Sequence, residues 1–256
     1  MIKTVFFDVD GTLFSHSRNC VPADTLKAVS DLREKGIKAV IATGRSMMEL
    51  DHMLGPMEFD GYITLNGQVI LDKDRNILFS HPLSANAQKT IISLFNEKKI
   101  SLHLVESDTI YANFLNDEVI KVLKAVCSEV PPVKEYSGRT IYMVKAFATP
   151  DYLRSEILPQ LSDCSLTCWH HDAGDIMPSD GGKDKGILKY CEISSTDLKE
   201  CASIGDGEND IPMLKLTAVG VAMGNSREEV KKAADLVAPK IDEGGLRQAL
   251  VMLMVL

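Results

Sequence analysis

The apolar positions of this chain fall in short runs, several of which stop at a charged or hydroxyl residue. Val5-Phe6-Phe7 is continuous, aromatic and β-branched, and ends at Asp8. Such a run predicts a strand buried on both faces, as in a parallel sheet. Thr25 to Lys35 then carries Leu26, Val29 and Leu32 on one helical face, with Gly36 to end it. Ile37 to Ala42 predicts a second buried strand, stopping at Thr43-Gly44-Arg45. Met47 to Leu54 predicts a helix, and Tyr62 to Leu65 a third strand ending at Asn66-Gly67. This alternation predicts an α/β fold, a Rossmann-like doubly wound parallel sheet with right-handed crossovers. Val69-Ile70-Leu71 and Ile77-Leu78-Phe79, joined by the polar stretch Asp72 to Asn76, predict a hairpin.

At Pro82 the rhythm changes. Helices are predicted over Ser84 to Lys98, Asp117 to Glu129 (broken by Pro131-Pro132) and Pro150 to Leu161. Strands are predicted over Ile100 to Val105, Thr109 to Ala112, Thr140 to Ala146 and Ser165 to Trp169. The mixture lacks regular alternation, as expected of an α+β domain inserted in the first fold. The regular pattern returns after Gly181-Gly182, with strands at Cys201 to Ile204, Ala218 to Met223 and Leu236-Val237. Helices are predicted at Lys183 to Tyr190, Ile211 to Leu216, Arg227 to Ala234 and from Gly245 onward. The expected organisation is a core of residues 1–81 and 180–256 with an inserted cap of residues 82–179.

Composition adds bounds rather than a function. The chain has 256 residues, 45% hydrophobic and 25% charged, as in ordinary globular proteins. A net charge of -8 argues against nucleic acid or an anionic membrane as partner. The six cysteines contain no Cys-x-x-Cys pair, and Cys164 and Cys168 have no matching pair at zinc spacing. Reduced thiols in a cytoplasmic protein are the expectation. The first apolar run is cut short by Asp8, unlike a signal peptide, and the apolar tail Leu250 to Leu256 is far shorter than a membrane span. Nothing in the sequence speaks to oligomeric state.

Four polar clusters fall at strand ends or at the helix start after the insert: Asp8/Asp10, Thr43, Lys183 and Asp206/Asn209/Asp210. In parallel sheets such ends converge on one edge, where ligands bind. Together the clusters suit phosphoryl transfer. Asp8 is placed to act as a nucleophile forming an aspartyl-phosphate. Asp10 can protonate the leaving oxygen and later activate water. Thr43 and the following N–H groups can hold phosphate oxygens, and Lys183 supplies a cation. Asp206, with Asp8, offers hard oxygen ligands for Mg²⁺. Asp210 reads equally well as a charge at the N-terminus of the Ile211 to Leu216 helix. Arg45 reads as structural or solvent-facing, and His16, His52, His81 and His103 as scattered residues forming no metal site.

The sequence resembles a haloacid dehalogenase superfamily phosphatase of the Cof-type branch, with its class IIB cap. Four motifs carry the likeness in order: Asp8-Val9-Asp10-Gly11-Thr12; Ala42-Thr43-Gly44-Arg45; Lys183 within Asp175 to Gly186; and Gly205-Asp206-Gly207-Glu208-Asn209-Asp210. The resemblance implies Mg²⁺-dependent hydrolysis of small phosphorylated metabolites such as sugar phosphates. It implies Asp8 as nucleophile and metal ligand, Asp10 as acid/base with its carbonyl on Mg²⁺, and Asp206 as the other metal ligand. Thr43, Gly44, Lys183 and Asn209 would bind phosphate, with Asp210 as a supporting carboxylate. Lys185 also precedes Gly186, but eight residues from Asp175 selects Lys183. A phosphomutase or phosphotransferase uses the same chemistry with a hydroxyl in place of water. A phosphate-sensing receiver domain would lack both the insert and the second aspartate.

Trp169-His170-His171-Asp172-Ala173-Gly174-Asp175 reads as a loop closing the insert. It holds the only tryptophan, two histidines and two acids. Trp169, His170 and Asp175 are therefore candidates for contact with a polar leaving group. The alternative is that Trp169 packs in the cap and the histidines are solvated.

Overall fold

A computed structural model describes all residues, Met1–Leu256. The chain forms two compact units, one of Met1–Arg45, Leu50–Ser80 and Gly182–Leu256, the other of Ser46–Glu49 and His81–Gly181. The first begins with β1 (Thr4–Phe7), α1 (Ala23–Glu34), β2 (Lys38–Ala42), α2 (Met47–Leu54, whose first turn belongs to the second unit) and β3 (Gly61–Thr64). The hairpin β4 (Val69–Asp72) and β5 (Ile77–Ser80) follows.

The second unit contains α3 (Ala85–Glu97), β6 (Ser101–Val105), β7 (Ile110–Ala112), α4 (Asp117–Ala125), β8 (Met143–Phe147), a three-residue turn α5 (Pro150–Tyr152), β9 (Cys164–His170) and β10 (Ala173–Pro178). Its strands form an antiparallel sheet in the order β7-β6-β8-β10-β9. One face is sealed by Ile91, Leu94 and Phe95 of α3 packing on Leu102, Leu104, Val144, Ala146 and Ile176. Val119, Val122 and Leu123 of α4 pack with Phe147 and Ala173.

Three local expectations need correction here. First, α4 stops at Ala125, well before Pro131-Pro132. Cys127 adopts the left-handed conformation (φ 52°), Ser128 N–H donates to Leu123 O at 2.9 Å and Cys127 N–H to Lys124 O at 3.2 Å. That pair of bonds satisfies the last carbonyls and closes the helix without proline. Second, Pro150 to Leu161 is no continuous α-helix: a π turn (Leu153–Ile157) and a 3₁₀ turn (Leu158–Gln160) follow α5. Pro159 lacks the N–H that an α-helix needs there. Third, Trp169 to Asp175 is the end of β9, a turn and the start of β10 rather than a loop. Ala-Gly-Asp-Ile-Met-Pro has weak strand character, yet β10 is buried along its whole length between β8 and β9.

The chain returns to the first unit with α6 (Lys183–Ser194), β11 (Cys201–Gly205), α7 (Ile211–Leu216), β12 (Val219–Ala222), α8 (Glu228–Ala233), β13 (Leu236–Val237) and α9 (Gly245–Met252). Its sheet runs β13-β12-β11-β1-β2-β3-β4-β5, parallel from β13 to β3 and antiparallel beyond. Every residue of β1 is buried, which accounts for its unbroken apolar run. Phe6 packs with Val40, Ile63, Ile187, Tyr190 and Met213 in a cluster drawn from β1, β2, β3, α6 and α7. With β1 flanked by β11 and β2, the sheet order reverses at β1, and the strand ends carrying Asp8, Thr43 and Asp206 are neighbours.

Candidate active site

The geometry begins at Gly11. After β1 the chain turns tightly, with Leu13 and Phe14 N–H both donating to Val9 O at 2.9 and 2.8 Å. Gly11 takes φ +74°, and a Cβ there would lie 2.1 Å from Asp206 Oδ2. Only glycine lets this turn approach the carboxylate at the end of β11.

Asp8, Asp206 and Asp210 offer carboxylate oxygens within 4.8 Å of one another. Lys183, at the first turn of α6 and 2% exposed, joins them: Nζ donates to Asp8 Oδ1 and Asp210 Oδ1, both at 2.6 Å. Lys185 instead has a side chain 57% exposed and lies 3.5 Å from Asp184. Asp210 has both oxygens engaged, Oδ1 by Lys183 and Oδ2 by the N–H groups of Asp206 (2.9 Å) and Gly207 (2.8 Å). Its bonds thus run to Lys183 and to the Asp206 loop, besides any effect on α7.

Crowding sets the electrostatics. Burial, then the charge of Asp210, raises the Asp8 carboxyl well above its usual range, against the pull of Lys183. Burial and Asp210 push Asp206 up to about 7. Burial works against the charge on Lys183, but Asp210 and Asp8 outweigh it and raise its pKa. Three clustered carboxylates with one ammonium leave an excess of buried negative charge. With Asp210 fully engaged, Asp8 and Asp206 are the hard oxygen donors left to share a divalent cation such as Mg²⁺, and the excess charge fits one.

Asp10 lies outside that cluster. Arg45 grips its carboxylate with two bonds, Nε to Oδ2 at 2.9 Å and a terminal guanidinium nitrogen to Oδ1 at 2.6 Å. His16 Nε2 lies 3.0 Å from Oδ1. Burial disfavours the charge, but the bonds from His16 and Arg45 prevail and hold this carboxyl well below the usual range. Arg45 is buried, at 7% exposure, so of the two expectations for it, structural or solvent-facing, the first agrees with its place beside Asp10 and the second does not.

Thr43 is buried and its hydroxyl accepts the Arg45 N–H at 3.1 Å. A Cβ on Gly44 would lie 3.1 Å from Asn66 Nδ2. Asn66, left-handed at φ 53°, accepts from Asn209 Nδ2 at 3.1 Å. Asn225, after β12, donates to Asp206 Oδ2 and to Gly11 O, both at 2.9 Å. The closing of Arg45 and His16 on Asp10, and the parts played by Asn66 and Asn225, escaped the sequence reading. Only the position of Asn66 and Asn225 just beyond strand ends signalled them.

In the second unit, Trp169 Nε1 donates to Asp175 Oδ1 at 2.9 Å, and its ring meets Phe147 edge-on at 6.1 Å. Asp175 is 6% exposed. His170 stacks on the exposed His171 with centroids 4.0 Å apart, and burial, then His171, lowers its pKa. Trp169 is thus partly a packing residue.

Comparison with known proteins agrees with this geometry. A family model described as haloacid dehalogenase-like hydrolase matches residues 5–250. Pyridoxal phosphate phosphatase YbhA of Escherichia coli is 26% identical over 92% of each chain. Among solved structures, BT1666 from Bacteroides thetaiotaomicron, from work on phosphatases of the HAD superfamily, superposes with a TM-score of 0.89 at 31% identity, covering 100% of this chain and 96% of that one. The HAD subclass IIB sugar phosphatase BT4131 gives 0.86 at 30% identity, over 99% and 100%. From the buried Asp8–Lys183–Asp210 cluster to the match along nearly its full length, this chain belongs to the haloacid dehalogenase-like hydrolases.

Proposed function

We propose that this protein is a Mg²⁺-dependent phosphatase that hydrolyses small phosphate monoesters through an aspartyl-phosphate on Asp8. The observation that carries the reading is Asp8 at the end of the central strand, held by buried Lys183 and close to Asp206. An Asp8 oxygen attacks phosphorus, and the bond from phosphorus to the ester oxygen breaks as Asp10 gives that oxygen a proton. Water then attacks the acyl phosphate, Asp10 takes its proton, and inorganic phosphate leaves with Asp8 restored. Arg45 and His16 favour the carboxylate form of Asp10, the one that accepts this proton; for the leaving-group step Asp10 must carry a proton, taken from solvent or kept from the water of the preceding turnover.

Thr43, the Gly44 N–H, Asn209 and Lys183 bind the phosphoryl oxygens. When bound by Asp8, Asp206 and the Asp10 carbonyl, Mg²⁺ offsets the negative charge of phosphate and carboxylates. Asp210 keeps Lys183 and the Asp206 loop in place. Substrates are small phosphorylated metabolites, sugar phosphates foremost, in keeping with the relatives named for a sugar phosphatase and for pyridoxal phosphate. Trp169, His170 and Asp175 are the residues of the second unit assigned to the leaving group. Free cysteines throughout suit a cytoplasmic enzyme.

The test is turnover of p-nitrophenyl phosphate with Mg²⁺ and after chelation. Multiple turnovers with Mg²⁺, lost on chelation and restored by adding the ion back, are expected. Release of no more than one phosphate per chain would overturn the reading.

A further inference from the structure

Within the first unit, one residue outside the reaction scheme touches every element assigned to phosphate. Asn66 follows β3, where Leu65, Asn66 and Gly67 take left-handed φ values of 52°, 53° and 94° in succession. Residues with a side chain visit this region singly and at a cost, yet Leu65 does so as a buried leucine, 2% exposed. Backbone strain of this kind persists only where the surroundings enforce it. Around Asn66, itself 1% exposed, they do.

The bent backbone bonds in two directions. Asn66 N–H donates to Thr43 O at 2.9 Å and Leu65 N–H to Arg45 O at 3.1 Å, which zips this turn to Thr43-Gly44-Arg45. On the other side Asn66 O accepts at 3.1 Å from the N–H of Gly182, the residue before Lys183 at the start of α6. Gly67 lets that helix start come close, since a Cβ on it would lie 2.2 Å from Gly182 O. The carboxamide of Asn66 reaches the remaining groups. It lies against Gly44, where a Cβ would come 3.1 Å from Nδ2 and 3.2 Å from Oδ1. Its Oδ1 accepts from Asn209 Nδ2 at 3.1 Å. A side-chain amide nitrogen has two hydrogens in one plane. With the first held on Asn66, the direction of the second is fixed, and that hydrogen is the one Asn209 offers a phosphoryl oxygen.

We propose that Asn66 is a positioning residue of the phosphate site: its left-handed backbone ties the Thr43-Gly44 turn to the start of α6, and its carboxamide orients Asn209. Thr43, Gly44, Lys183 and Asn209 are thereby held in one arrangement before phosphate arrives, and little further ordering is left to oppose binding. The inference rests on the proposed assignment of those four residues to phosphate.

The experiment measures the Kd of inorganic phosphate with Mg²⁺ present, by titration calorimetry, in wild type, Asn66→Gly, Asn66→Ala, Asn209→Ala and the Asn66→Gly/Asn209→Ala double variant. Circular dichroism checks that each folds. Asn66→Gly removes the carboxamide and leaves a residue at ease with positive φ. It is expected to weaken phosphate binding about tenfold, as does loss of one hydrogen bond to a charged group. Asn209→Ala matches it, and the double variant is no weaker than Asn209→Ala, because both changes act on the same bond. Asn66→Ala, which also opposes the left-handed backbone, weakens binding further than Asn66→Gly. Phosphate bound as tightly by Asn66→Gly as by wild type, or losses that multiply in the double variant, overturns the proposal. Should Asn66→Gly not fold, Asn66→Ala takes its place in the comparison. Wild type keeps the two claims apart: if it binds no phosphate, the assigned site itself is wrong, whereas equal binding by wild type and Asn66→Gly removes only the role of Asn66.

Discussion

Lys183 and Lys185 stand two residues apart in one helical turn, yet their surroundings have nothing in common. Successive residues on a helix point about 100° apart, so positions 183 and 185 face different sides. Lys183 is buried between two carboxylates and Lys185 is in solvent beside Asp184. Lys183→Met should lower kcat for p-nitrophenyl phosphate by roughly a thousandfold, in the range of removing a preorganised group that stabilises developing charge. Lys185→Met should stay within about twofold, as surface substitutions do. A reversal of the two effects would move the phosphate-binding role to Lys185. At this scale the sequence was most legible where a residue's placement follows from its position at a strand end, as for Asp8, Thr43 and Asp206. It was least legible where the partner is far along the chain. Arg45 and Asp10 are 35 positions apart, and no local pattern announces that one guanidinium will close on that carboxylate.

Strands and helices with strong periodicity could be read directly from the chain, because their side chains repeat the burial pattern. β10 could not. Its residues have low strand propensity, and only pairing with β8 and β9 makes a strand of them. The end of α4 was equally hidden, since a cysteine in the left-handed region does the work usually assigned to glycine or proline. Burial within an element also sets a pH dependence. His103 in β6 is 1% exposed, and burial, then the Lys145 charge, lowers its pKa from 6.5 to about 3. As pH falls below 6.5 the unfolded chain takes up this proton and the folded chain does not. Stability therefore decreases with falling pH, by roughly 1.4 kcal/mol per unit from this group, until about 3. Between pH 7 and pH 5, urea denaturation should show wild type losing about 2 kcal/mol more than His103→Gln. Equal losses would mean that His103 titrates normally in the folded protein.

For the whole molecule, sheet order does what no single element can. The order β11-β1-β2 brings residues 8, 43 and 206 to one edge, and α6, entered after the second unit, delivers residue 183 to the same place. The sequence rhythm anticipated the doubly wound sheet because strand–helix alternation has few topological solutions. The antiparallel sheet of the second unit was visible only as irregular alternation, since its pairings join distant segments. The central claim is that Asp8 carries the phosphoryl group between the two half-reactions. Its most direct test is mass spectrometry of acid-quenched protein after mixing Asp10→Asn with p-nitrophenyl phosphate and Mg²⁺. The leaving group needs no proton, while release by water is deprived of its base, so the covalent intermediate should accumulate. A phosphoryl group on the peptide containing Asp8, absent from the Asp8→Asn variant, is the expected result. A burst of p-nitrophenol with no phosphoryl group on that peptide, or full turnover by Asp8→Asn, would contradict the account.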